Sequence, residues 1–193
     1  MKKLNLIVVV VVLLAMSLQA FAGDFRLTNK RFVLGATSLC ALNETLQKKD
    51  VLTIYVLGDQ NVAEELLIFK NQKIGFAKLT EVTFGQNLPA VKPDVMLICD
   101  ETKVADATDY CRDMGVFSIA RSTAACKNGA STAIVSKLPL TFENKYSIST
   151  LYATINKSSL FAEGMIMHAQ VWNVAKPVDD SGSGKELAYL QLF

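Results

Sequence analysis

The sequence is poor in the residues from which catalytic centres are built. It has 1 His in 193 residues, so any Ser-His-Asp arrangement must run through His168. No Gly-x-Ser-x-Gly elbow exists to pair with it. Glu163 is out of phase with His168 on a helix, so the two do not share a face, and His168 reads as a structural or surface residue. No Gly-x-Gly-x-x-Gly fingerprint and no P-loop lysine is present, which excludes the usual dinucleotide and nucleoside-triphosphate cradles. The 4 cysteines include no Cys-x-x-Cys pair, against a thioredoxin-type redox site or a zinc knuckle. Neither a metal site nor a cofactor site emerges. A nucleophile with its base is also missing, which disfavours a hydrolase.

One apolar run stands out, Leu6 to Met16, behind Lys2 and Lys3. It is shorter than the roughly 20 residues a spanning helix needs. It ends in Ser17-Leu18-Gln19-Ala20-Phe21-Ala22, with small residues at Ala20 and Ala22 before Gly23. A positive start, a short apolar stretch and a small-x-small end make a secretory signal peptide cleaved after Ala22. The expected organisation is signal 1–22, one domain 23–176, and a flexible tail 177–193. The expected location is a bacterial periplasm. Cleavage removes two lysines and no acid, bringing the 20 basic residues of the whole chain level with its 18 acidic ones. A neutral mature chain without a basic run argues against nucleic acid, or an anionic membrane surface, as the main partner. It carries no segment for stable membrane insertion once mature.

The mature chain alternates helical and strand-like patterns. Residues 29–47 have helical spacing (Phe32, Ala36, Leu39, Leu46), with Thr28 or Asn29 as cap. Val51 to Leu57 is a short, β-branched, nearly continuous apolar run, as in a strand buried on both faces. Residues 61–70 form a helix, 74–84 a β-like stretch, and Val95 to Cys99 another buried strand. A helix from Asp100 to Met114 stops at Gly115. Strands follow at Val116 to Ala120 and Thr132 to Ser136, with a polar loop 121–131 between them. Leu140 to Ile148 adds an edge strand, and 160–173 a closing helix. This order predicts an α/β single domain with a mostly parallel sheet of about five strands and helices on both faces. The stretch Asp179 to Gly184 reads as linker and Leu187 to Phe193 as frayed.

In such a sheet, ligands gather at the carboxyl ends of strands, where helix N-termini offer free N–H groups. Gly58-Asp59 and Asp100-Glu101 hold two such places and form the candidate ligand edge. Each also suits a plain role, a turn with a cap for the first and helix-dipole complementarity for the second. An even cysteine count in an exported chain suggests disulfides. Cys99 and Cys126 fall at one sheet edge and make the favoured bridge. Cys111 lies about 15 Å down a helix from that edge, leaving Cys40–Cys111 as a weaker pair. The alternative keeps them reduced and buried.

The ordered set Leu52-Thr53-Ile54-Tyr55-Val56-Leu57-Gly58-Asp59, Asp94 to Asp100 with Glu101, Val116 to Ala120, and Ala133-Ile134-Val135 resembles the periplasmic YfiR/HmsC-like proteins. The stretch Ile148 to Asn156, then Leu160 to Trp172, is similar to the family's closing segment. The family's aromatic element after the first helix is replaced by Ala41-Leu42-Asn43-Glu44-Thr45. The resemblance implies a non-enzymatic regulator that binds the periplasmic sensor region of an inner-membrane diguanylate cyclase. It thereby lowers cyclic-di-GMP signalling and biofilm formation. It also implies a disulfide-bonded form and a possible homodimer. The alternative is a small-solute binding module serving a transporter or receptor, with its pocket at the Gly58 and Asp100 strand ends.

Overall fold

The computed structural model describes residues 27–136, 151–177 and 187–192. The signal segment, the 140–148 strand and the Asp179 to Gly184 linker lie outside these residues. Helix α1 (Asn29–Ala41) starts at Thr28, whose side chain accepts the Arg31 N–H at 3.4 Å. Its inner stripe is Phe32, Val33, Ala36, Leu39 and Cys40, all buried. The helix predicted for 29–47 breaks at Leu42. Asn43 takes the Leu46 N–H at 3.1 Å and starts a separate turn, α2 (Glu44–Gln47). A short amide side chain that competes for backbone N–H groups ends one helix by capping the next.

The strands are β1 (Val51–Leu57), β2 (Lys73–Ile74), β3 (Ala77–Gly85), β4 (Val95–Ile98), β5 (Phe117–Ala120), β6 (Thr132–Ser136), β7 (Leu151–Asn156), β8 (Lys176–Pro177) and β9 (Leu187–Gln191). They form one nine-stranded sheet in the order β2-β3-β1-β4-β5-β6-β7-β9-β8. The five strands from β3 to β6 are mutually parallel. The expected parallel sheet is therefore its centre, and antiparallel strands extend both sides. Helices α3 (Gln60–Leu67) and α4 (Val104–Met114) lie in the crossovers after β1 and β4, and α5 (Thr123–Lys127) follows β5. That turn of helix, capped by Ser122, sits inside the segment expected to be a loop.

Strand alternation divides the core in two. Ile54, Val56, Val95 and Leu97 pack on the α1 and α3 side. Tyr55, Leu57, Met96 and Ile98 pack on the α4 and α5 side. Fully burying a side chain of this kind contributes about 1.5–3 kcal/mol, so both layers matter. Gly35 brings α1 close to the sheet, since a Cβ there would stand 2.8 Å from Ile134 Cγ2.

Two closing elements differ from expectation. The helix predicted for 160–173 is two pieces, α6 (Lys157–Ala162) and α7 (Ala169–Val174). Gly164 turns the chain between them at φ +70° and buries Met165 and Met167. The segment from Leu187, read as frayed, is strand β9 between β7 and β8. Its Leu187, Ala188 and Leu190 are buried, as is Leu192 beyond it. Without it the long edge of β7 would expose an unpaired row of N–H and C=O groups.

Candidate functional site

The chain leaves β1 toward β3 on one side and leaves β4 toward β5 on the other, so the carboxyl ends of β1 and β4 mark the switch point of the sheet. The predicted residues Gly58, Asp59 and Asp100 meet there. Gly58 has φ +95°, and a Cβ on it would lie 2.6 Å from Asp100 Cβ. Asp59 caps α3, with Oδ1 accepting the Asn61 N–H at 3.0 Å. Its Oδ2 accepts from Arg121 Nη1 at 3.1 Å. Arg121 Nη2 also donates to the Leu27 carbonyl and to Asn29 Oδ1, both at 3.0 Å. Its guanidinium lies 5.0 Å above the Phe32 ring centre. One arginine thus ties the start of α1 to the sheet edge.

Asp100 Oδ1 accepts from Thr102 Oγ1 at 2.6 Å and from the Thr102 N–H at 3.0 Å. These bonds, the hydroxyl first, hold its carboxyl below the ordinary range, with help from Lys103. Asp100 is thus engaged by its own turn, while Glu101 has its side chain in solvent. Cys99 is half-buried, and burial pushes its thiol up to about 12 against the pull of Arg121. A protonated thiol is a poor nucleophile.

Neither expected disulfide forms, because each pair straddles the sheet. Cys40 lies in the α1-side core and Cys99 packs against it. Cys111 and Cys126 lie in the other core. A shared edge was the basis for pairing Cys99 with Cys126, but the alternation along β4 turns Cys99 to the α1 side. A disulfide needs Cα atoms within about 7 Å. No disulfide joins any two of the four; Cys111 Sγ sits 3.9 Å from Met96 Sδ and Cys126 Sγ 3.6 Å from the Thr154 carbonyl. Thiol titration of denatured, unreduced protein is expected to count all 4 cysteines. The native protein is expected to react slowly, Cys99 first. A count of zero or two would restore a bridge.

Sequence reading missed Arg121 and the environment of Glu163. Arg121 was legible only as the residue after a buried strand, level with Gly58 after β1 and Cys99 after β4. Glu163 is 1% exposed and lies at the opposite, amino edge of the sheet. It follows α6 and reaches back to β5. Its Oε2 accepts the Ser118 N–H at 3.0 Å, and Oε1 bonds the Ser118 hydroxyl. Ser118 Oγ in turn lies 3.2 Å from Ser131 Oγ. Burial pushes the Glu163 carboxyl up to about 7, against the serine hydrogen bonds and the Arg112 charge. His168 is exposed and caps α7, accepting the Gln170 N–H at 3.3 Å.

The amino edge also carries much of the exposed apolar surface. Phe161 is 85% exposed, Phe76 81%, Ile68 63% and Ile166 53%. The Gly164 to His168 segment is stapled to α2: Glu44 N–H donates to the Ile166 carbonyl at 2.7 Å, and His168 N–H to the Leu42 carbonyl at 2.8 Å. A cleft of about 330 Å³ beside it is lined by Leu42, Gln47, Lys48, Phe76 and His168. A separate groove of about 430 Å³ lies between the β1–β3 face and the 86–93 crossover, with Tyr55, Thr83, Glu81 and Lys92 among its walls. Compared with known proteins, the chain matches no family model and no curated protein.

Proposed function

We propose that the chain is a periplasmic, non-enzymatic regulator that binds the sensor region of an inner-membrane diguanylate cyclase and lowers its output. The observation that carries a binding role is the amino edge, where Phe161 and Ile166 stand in solvent on either side of a buried anchor, Glu163. Large apolar side chains gathered at one end of a folded chain mark a contact surface for another macromolecule. The choice of a cyclase rests on the family resemblance of residues 29–173. Repression requires only a surface with different affinity for two states of the partner. The ion pair and caps at the carboxyl edge fit this role, since they engage Asp59 and Asp100 in holding the fold.

The test is binding of the purified sensor region in lipid-free solution, together with cyclic-di-GMP levels after deletion. Phe161→Asp and Ile166→Asp are expected to weaken binding by about tenfold or more, as loss of apolar anchors does, with unchanged urea midpoints. Unaltered cyclic-di-GMP on deletion, or full binding by both variants, would remove the reading. The groove of about 430 Å³ favours a second reading, a small-solute module. A thermal-shift response to amino acids, sugars or anions that is lost in Thr83→Trp would support it.

A further inference from the structure

We propose that the β2–β3 hairpin docks the molecule on an anionic phospholipid bilayer, Phe76 entering the headgroup layer and the hairpin lysines meeting the phosphates. The inference deepens the regulatory reading, since a repressor of a membrane cyclase acts beside a bilayer, but it stands on separate residues.

The hairpin breaks two local rules at once. Lys73 and Lys78 are direct cross-strand partners, and like charges placed opposite each other destabilise a pair. Phe76, on the two-residue turn between Ile74 and Ala77, is 81% exposed. The fold does not need either choice, because the hairpin's packing is made by Ile74 and Ala77, buried on its other side. Departures from local consistency with no gain for the fold point to function.

The tip is also held in place. Gly75 has φ +65°, the first turn position of a tight hairpin. Gln47 clamps it from α2, donating Nε2 to the Ile74 carbonyl at 3.1 Å and to the Cys40 carbonyl at 2.9 Å, while Oε1 accepts the Phe76 N–H. The aromatic ring is thus displayed from a fixed backbone, with little ordering left to lose on binding.

The neutrality of the mature chain conceals an uneven charge. Lys48 lines the cleft beside Phe76, and Lys70 is exposed in the turn before β2. The acids nearby are Glu44 in the same cleft and Asp50, whose carbonyl accepts the Lys78 N–H. Lys49 is matched by Asp94. At the tip of the hairpin the charged residues are Lys73 and Lys78; its one acid, Glu81, lies farther along β3 and lines the groove beside the 86–93 crossover. An exposed aromatic at a hairpin tip with long basic side chains beside it suits the interface of an anionic bilayer, where the ring partitions and each lysine adds attraction. A protein groove would instead call for a broader complementary surface. The docking is peripheral: among the described residues no helix is long and apolar enough to cross a membrane.

The test sediments the mature full-length chain with vesicles of phosphatidylglycerol and phosphatidylethanolamine, and with phosphatidylcholine vesicles, at low and high salt. Binding is expected only to the anionic vesicles at low salt. Phe76→Ser and the Lys73→Glu, Lys78→Glu double variant are each expected to weaken it about tenfold. Both sites are exposed, so urea midpoints report folding independently. No anionic binding, equal binding to both vesicle types, or undiminished binding by the variants overturns the proposal. Binding only when the vesicles carry the cyclase sensor region makes the hairpin a protein contact; the lipid proposal then falls and the regulatory reading stands. Vesicle binding without sensor-region binding in solution leaves this proposal and removes that reading.

Discussion

Glu163→Gln is expected to stabilise the protein by about 3 kcal/mol at pH 8 and to have little effect near pH 4. The carboxyl ionises near its ordinary value of 4.5 in the unfolded chain and near 7 when folded. Between those values the folded state holds a proton that the unfolded state has released, so stability falls as pH rises. Below the window both states are protonated and the group is neutral in its effect. Above it both are ionised and the full penalty of about 3 kcal/mol, at 1.36 kcal/mol per unit, applies. Glutamine copies the protonated acid. Its oxygen accepts the Ser118 N–H, and its nitrogen donates to the Ser118 hydroxyl. Among the described residues, the charge that bears on the site is Arg112 from α4, and the Cys111 thiol beside it is kept protonated by burial and by Glu163. The measurement is urea unfolding of both proteins across pH 4 to 8, read as the difference between them. A constant difference, or a variant less stable at pH 8, would show that Glu163 is ionised and well satisfied in the fold.

Gly58→Val is expected to destabilise the protein by about 3 kcal/mol. A positive φ is unfavourable for any L-residue and worst for a β-branched one, about 1–2 kcal/mol. The added Cβ also meets Asp100 Cβ at 2.6 Å and the Asp100 backbone nitrogen at 3.1 Å. Overpacking of this kind costs about 1–3 kcal/mol. Relief by movement is blocked on both sides. Gly58 N–H bonds the Gly85 carbonyl at 3.0 Å, and Cys99 N–H bonds the Leu57 carbonyl at 2.9 Å. Displacing either would unzip the ends of β3 or β4. A loss below about 1 kcal/mol by urea unfolding would mean that the switch point is more pliable than these bonds imply.

Why Gly58 was legible as a special position, and Glu163 was not, follows from how far each depends on distant chain. Gly58 ends a continuous apolar run, and such runs announce parallel strands covered on both faces. The same signal found β4, β5 and β6. The antiparallel strands lack it: β7 reads Leu-Tyr-Ala-Thr-Ile-Asn, and β9 follows a Gly/Ser-rich stretch that suggested fraying. Their strand state comes from the partner's free edge, which local pattern does not contain. Helix breaks were written in Asn43 and Gly164, but as single residues inside otherwise helical spacing. The cysteine error was one of parity. Knowing which edge Cys99 occupies is insufficient until the face is counted residue by residue from Leu97. At the site, Asp59 and Asp100 were found as strand-end acids, yet their partners Arg121 and Thr102 decide that they hold the fold. Glu163 owes its burial to Ser118 and Ser131, neither of which marks itself in sequence.

The order of strands at the β7 side has a bearing on when the protein becomes whole. Strand β9 lies between β7 and β8, although β8 precedes it along the chain. While the chain is being made or threaded, residues 176–177 have no neighbour to join, and β7 waits with one side open. The sheet is completed only when 187–191 slide in as its penultimate strand. Until then the emerging polypeptide presents a sticky β margin, and its companion in that interval is best a chaperone. Late pairing between sequence-distant segments is also a slow step, so an edge-capping holdase should raise the yield of recombinant protein more than a stronger promoter would.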